Sequence, residues 1–277
     1  MSKIGIRRAD KRLHDTIVEY FGSIREAIES SMLKYVNIPA GRNALGESKN
    51  PARPISVPIH NIDFSYFTGV YIGDGGYHKG VRGRTSVYCY GFDVEMISRF
   101  ANIGEQSFGI IPKIYITVPD RNQRTEHGDV FHKVAFNSRE MTRYMVDMVG
   151  DPKAIPDWIK YGSLEIKSGF IRGFADAEGT AYNIRSTGYV KLAQKDRSIL
   201  EDVQTMLKEI GIRSSIGINK QGCHILCISG SMDVVKYRDT IGFGITRKQE
   251  KLSRVVVTKE SILNTLRYRG IMGMTTC

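Results

Sequence analysis

The apolar positions along this chain switch between a helical and an alternating period, and the switch is made twice in the same order. Leu13, Ile17, Val18, Phe21, Ile24, Ala27 and Ile28 recur at helical spacing and predict two short helices broken at Gly22. Three prolines in KNPARPISVP (49–58) forbid a continuous helix, so this stretch reads as an extended linker and a new unit begins near Asn61. FSYFTGVYIGDGG (64–76) then predicts a short apolar helix ending in an acid followed by glycine. SGFIRGFADAEGT (168–180) predicts the same, with Asp74 and Glu178 104 positions apart. After Gly91-Phe92-Asp93 an amphipathic helix carries Met96, Ile97 and Phe100; after Gln194-Lys195-Asp196 another carries Ile199, Leu200 and Val203. Alternating strands follow, KIYITV (113–118) and SIGIN (215–219), then a last strand and helix in VFHKVAFNSREMTRYM and CHILCISGSMDVVKYR. Each half reads helix, hairpin, helix, hairpin, helix.

The division this predicts is a helical basic extension with its linker over 1–60, a first unit over 61–150, a joining segment with Pro152 and Pro156 over 151–162, a second unit over 163–260 and a C-terminal tail over 261–277. The fold class is α+β. The stretch FGSIREAIESSML in the extension fits either the first helix of a helix-turn-helix or a capping helix that packs on the core.

Small residues stand at matching places in the two acid-ended helices. Ser65, Gly69 and Gly73 lie at i, i+4 and i+8, and Gly169, Gly173 and Ala177 do the same 104 positions on. A helical glycine costs about 1 kcal/mol against alanine, so stacked glycines in both copies need an offsetting gain, and close helix–helix approach supplies one. Packing through Gly69, Gly73, Gly173 and Ala177 would bring Asp74 and Glu178 together at two helix C-termini, where free carbonyls add negative charge. Either each acid ends its helix before a turn glycine, or the pair holds a cation; the doubled stripe favours the cation. Oxygen ligands of this kind suit Mg²⁺.

The strands alternate as half-buried strands do. Thr85, Val87 and Cys89 oppose Arg84, Ser86, Tyr88 and Tyr90; Ile114, Ile116 and Val118 oppose Lys113, Tyr115 and Thr117; Val190 and Leu192 oppose Tyr189 and Lys191, with Tyr182 on the preceding strand. The polar sets either are an ordinary solvated face or contact phosphates and base edges in a groove.

Composition bears on the partner. Forty Lys and Arg against 29 Asp and Glu give +11 over 277 residues, which favours a polyanion. The charge is uneven: ten basic and six acidic residues leave +4 over 1–60, ten of each cancel over 61–150, eighteen against thirteen leave +5 over 151–260, and 261–277 adds +2. No apolar run approaches a membrane span, and the opening MSKIGIRRADKRLHD is too polar for a signal peptide, so an intracellular protein (cytoplasm or nucleoid) with no membrane partner is expected. Four cysteines without a Cys-x-x-Cys pair read as reduced thiols, His127 and His132 lack partners at zinc spacing, and no glycine-rich nucleotide-binding string occurs.

At FTGVYIGDG (67–75) and IRGFADAEG (171–179) the sequence resembles the LAGLIDADG homing endonucleases in their single-chain form with two motif copies. The resemblance covers residues 61–256 and implies two αββαββα units, a DNA-binding saddle of two antiparallel sheets, and a monomer making a Mg²⁺-dependent double-strand break in a long asymmetric target. It implies metal binding by Asp74 and Glu178. It further implies a polar or basic residue where the second strand meets the next helix, here Gln194 and Lys195, and a Lys-Gln pair that positions active-site water, here Lys248-Gln249. The first half departs: Gly91-Phe92 stands opposite Gln194-Lys195, and Lys153, Lys160 and Lys167 are the candidates for its lysine. Two rivals stay open, an intron-splicing maturase binding structured RNA and a non-catalytic regulator that keeps the fold. Protein splicing is not expected from a chain without a His-Asn end.

Overall fold

Polar side chains cap the beginning of four helices. Asn61 accepts the Phe64 N–H at 2.8 Å ahead of α1 (Ile62–Gly73), and Ser163 accepts the Ile166 N–H ahead of α5 (Leu164–Glu178). Between them run β1 (Gly75–Lys79), β2 (Thr85–Gly91), α2 (Val94–Phe108), β3 (Lys113–Thr117), β4 (Phe131–Phe136), α3 (Arg139–Val149) and the short α4 (Asp157–Lys160). The second half continues with β5 (Gly179–Ile184), β6 (Thr187–Gln194), α6 (Arg197–Ile210), β7 (Ser215–Ile218), β8 (His224–Ile228) and α7 (Ser231–Thr240), and a further helix, α8, runs over 246–256. Gly109 (φ 67°) and Gly211 (φ 82°) end α2 and α6 in the left-handed conformation that glycine adopts most cheaply. The computed structural model describes residues 55–79, 85–117, 130–184 and 187–256. The helices expected before residue 55, the tail over 261–277, Arg84 and the Thr117 side chain lie outside what is described.

Each half is one αββαββα unit with its own antiparallel sheet, ordered β1-β2-β4-β3 in the first and β5-β6-β8-β7 in the second. The registers correspond strand for strand: Gly91 faces His132 as Gln194 faces His224. On the inner faces Val87, Cys89, Val134 and Phe136 in one sheet, and Val190, Leu192, Leu226 and Ile228 in the other, are fully or almost fully buried against the helices.

Two strands depart from the expected alternation. Ile116 and Ile218, which belong by parity to the inner faces, are 47% and 66% exposed. Both stand toward the far ends of edge strands.

The halves meet through α1 and α5, which run side by side in the same direction. A Cβ at Gly69 would strike the Phe170 carbonyl and lie 2.7 Å from Phe174 N; one at Gly173 would strike the Tyr66 backbone; one at Gly73 would lie 2.5 Å from Ala177 Cβ. The joining segment is packed rather than loose. Ile155 and Ile159 are buried, and Trp158 stacks on His60 with ring centres 4.2 Å apart. No helix among the described residues is long and apolar enough to cross a membrane.

Candidate active site and nucleic-acid interface

The shared direction of α1 and α5 sets their C-termini together. Asp74 caps α1 and Glu178 is the last residue of α5, with Gly73 close enough that a Cβ there would lie 3.2 Å from Glu178 Cγ. Burial pushes both carboxyls up. Asp74 is pulled back by Lys248 and Lys153, while the negative charge of Asp74 raises Glu178 further, to about 7. Among the described residues neither acid has an ion-pair partner.

Two lysines, Lys153 half-buried and Lys248 buried, flank the acids in matching positions. Lys153 Nζ donates to the carbonyls of Tyr71 (3.0 Å), Ile72 (2.9 Å) and Gly75 (2.9 Å), closing the end of α1. Lys248 Nζ donates to the carbonyls of Ala175 (3.3 Å) and Asp176 (2.5 Å), closing the end of α5. Tyr71 and Ala175 are themselves 104 positions apart, as are Ile72 and Asp176, so the ammonium groups occupy equivalent places. Burial lowers both lysines, against the attraction of Glu178 and Asp74 for Lys153 and of Asp176, Asp93 and Asp74 for Lys248.

The other expected residues distribute differently. Gln194 Nε2 donates to Glu178 Oε1 at 3.4 Å and its Oε1 accepts the Lys195 N–H. Lys195 has an exposed side chain, and no hydrogen bond or ion pair among the described residues joins it to either acid. Gln249 turns away, accepting the Phe243 N–H at 2.8 Å. Lys160 pairs with Asp157 and Asp202, and Lys167 with Glu209, so of the three first-half candidates only Lys153 stands at the site. The spacing already distinguished it, since Lys153 precedes Lys248 by 95 positions, close to the offset of 93 between the preceding strands.

The outer sheet faces carry rings around a central cation. Lys191 lies 4.8 Å from the centre of the Tyr182 ring and 5.8 Å from that of Tyr189. In the other sheet Lys133 lies 5.2, 5.0 and 5.9 Å from the rings of Tyr88, Tyr90 and Tyr115. Ser86 and Lys113 share that face by register. Lys133 is absent from the sequence-derived set, although His132, Val134 and Phe136 alternate with it and point it outward.

The family model for a LAGLIDADG-like domain matches residues 165–242. The second half is a LAGLIDADG-like domain. The first half repeats its topology element by element, so the LAGLIDADG unit is present twice in fold. Among solved structures, the chain resembles the homing endonuclease I-WcaI bound to its DNA recognition sequence, at 13% identity and a TM-score of 0.55, over 75% of this chain and 95% of that one. I-DmoI in complex with DNA and Mn aligns at 20% identity with a TM-score of 0.49, over 66% of this chain and 97% of that one. Curated relatives include a DNA gyrase subunit from Mycobacterium malmoense, 24% identical over 60% of this chain and 37% of the relative. The replication factor C small subunit of Methanocaldococcus jannaschii is 25% identical over 70% of this chain and 11% of the relative. The chain thus spans well under two thirds of these relatives' length.

Proposed function

We propose that this protein is a site-specific DNA endonuclease that makes a double-strand break in a long asymmetric target by divalent-metal-dependent phosphodiester hydrolysis, with Mg²⁺ as the ion. The observation that carries the reading is the pair Asp74 and Glu178: two half-buried carboxylates at adjacent helix ends, the charge of Asp74 raising Glu178, with no ion-pair partner among the described residues. The donor set fits a hard divalent cation. Among the described residues no group of three or more His, Cys, Asp or Glu side chains forms a metal cluster, so two carboxylates are the protein's share, and Mg²⁺ commonly takes one or two with water and phosphate completing its shell. When bound, such an ion supplies Lewis-acid stabilisation of phosphoryl charge and a more acidic water.

The chain's own residues divide the remaining work. The Lys153 and Lys248 ammonium groups face the scissile region as fixed positive charges, held by helix-end carbonyls so that little reorganisation is needed as charge builds on the phosphate. Gln194 orients the Glu178 carboxylate. The outer faces, with Lys133 and Lys191 among tyrosine rings, present cations and hydroxyls to a DNA groove, together with Ser86 and Lys113. A non-catalytic regulator would have no use for the paired acids.

The deciding experiment incubates the protein with Mg²⁺ and a randomised DNA library and sequences the cut ends. Discrete breaks at one extended sequence are expected, and Asp74→Asn or Glu178→Gln should abolish them while DNA binding, read by gel shift, persists. Cutting at the wild-type rate by either variant removes that acid from the metal site; binding to structured RNA with no cleavage of any DNA supports the maturase instead.

A further inference from the structure

Lys248 is only 8% exposed and belongs to the first turn of α8, so its place at the end of α5 depends on where α8 begins. A helix start leaves backbone N–H groups without intrahelical partners, usually met by the preceding residue of the same chain segment. Here they are met from elsewhere. The buried carboxylate of Asp176, on α5, accepts the Gly244 N–H at 2.9 and 3.0 Å and the Ile245 N–H at 3.4 Å, and also the Tyr66 hydroxyl of α1 at 2.7 Å. Glu95, in the first turn of α2, accepts the Thr246 N–H at 2.6 Å. Asp93, just ahead of α2, receives Arg247 Nη2 at 3.0 Å on both oxygens. Four consecutive residues, 244–247, are therefore gripped by three carboxylates, and two of those belong to the opposite half of the molecule. Asp93 makes no side-chain cap for its own helix, which leaves both oxygens to Arg247.

Nothing equivalent holds Lys153 among the described residues. The position matching Asp176 is Ile72, and the acid two positions before Lys153, Asp151, is bonded by Tyr77 of the first half's own hairpin. We propose that Asp176, Asp93 and Glu95 are positioning residues for Lys248, so that the chemistry served by Lys248 forms only when the second half is docked on α2 of the first, while Lys153 is set within its own half. The proposal rests on the endonuclease reading for its consequence in cleavage, and on the hydrogen bonds alone for the placement of Lys248.

Two readouts separate these layers. The first is the rate at which an amine-modifying reagent labels Lys248 and Lys153 in the full chain, followed by mass spectrometry. Asp176→Ala, and the double variant Asp93→Ala with Glu95→Ala, should raise Lys248 labelling roughly tenfold, the scale of losing a hydrogen bond to a charged group. Lys153 labelling should stay constant. Glu95→Gln in place of Glu95→Ala in the double variant, which keeps an acceptor oxygen for the Thr246 N–H, should restore part of the lost protection. Unchanged Lys248 labelling overturns the proposal, and so does a parallel rise at both lysines, which would mean that the helix interface has merely loosened. The second readout is nicking of a target with separately labelled strands. Both variants should slow the strand that Lys248→Met slows and spare the other; equal slowing of both strands overturns the catalytic consequence. If the wild-type protein cuts no DNA, the endonuclease reading fails, and the labelling result still decides the placement.

Discussion

Glu178 is where a single residue's chemistry can be read most directly. Burial and the neighbouring Asp74 raise its carboxyl from an ordinary value of 4.5 to about 7. A raised acid binds its proton more tightly in the folded state, so its contribution to stability is complete below about 4.5 and is lost as pH rises through about 7. The loss is at most about 3.5 kcal/mol, since each pKa unit is worth about 1.4 kcal/mol. Metal-free wild-type protein should therefore lose stability between pH 5 and 8 more steeply than Glu178→Gln, as read by urea denaturation. Mg²⁺ should oppose the loss, because a cation competes with the proton for the same oxygens. Matching slopes for the two proteins would show that Glu178 is ionised without strain. The acids were legible from sequence because each ends a glycine-striped helix in a repeated pattern. Asp176 was not, because a buried acid inside a helix gives no sign of what it bonds, and its partners Gly244 and Ile245 lie 68 and 69 positions away.

Between elements, the decisive contact is that of α1 with α5. Backbone meets backbone at Gly69 and Gly173, so a methyl group there has no flexible neighbour to displace, and the two helices must part. Gly69→Ala should cost about 3 kcal/mol, at the upper end of overpacking penalties, and should be visible as a lower denaturation midpoint. Gly217, on edge strand β7, has open space where a Cβ would stand, with nothing within 4 Å, so Gly217→Ala should change stability by less than about 0.5 kcal/mol. Comparable changes at both sites would mean that close helix approach does not govern the stripe. Spacing alone exposed this interface, because glycine in a helix is costly enough to need a reason. It also gave the strand alternation, except at Ile116 and Ile218, since period-two patterning says which side a residue points to and not whether that side is covered there.

At the scale of the whole molecule, the two halves repeat in topology and differ in chemistry. Gln194 touches Glu178 in the second half, whereas the matching residue of the first is Gly91, which has no side chain to offer Asp74. Lys248 is held through the partner half and Lys153 through its own. The first unit, 61–150, has ten basic and ten acidic residues, while 151–260 carries a surplus of five positive charges. A duplex lying across both sheets would thus meet unequal phosphate attraction and two unlike sets of groups around its scissile bonds. Each strand's barrier is set by its own groups, and a difference of about 1.4 kcal/mol between barriers already makes a tenfold difference in rate. The strands should therefore be cut at different rates in single-turnover assays, with a nicked duplex accumulating before the linear product. Replacing Gly91 by Gln, whose Cβ would meet the flexible end of Met96 at 2.9 Å, should alter one rate more than the other. Equal rates in the wild-type protein would mean that the shared acids and the two matched lysines alone set the barrier, and that the differences around them have no kinetic weight.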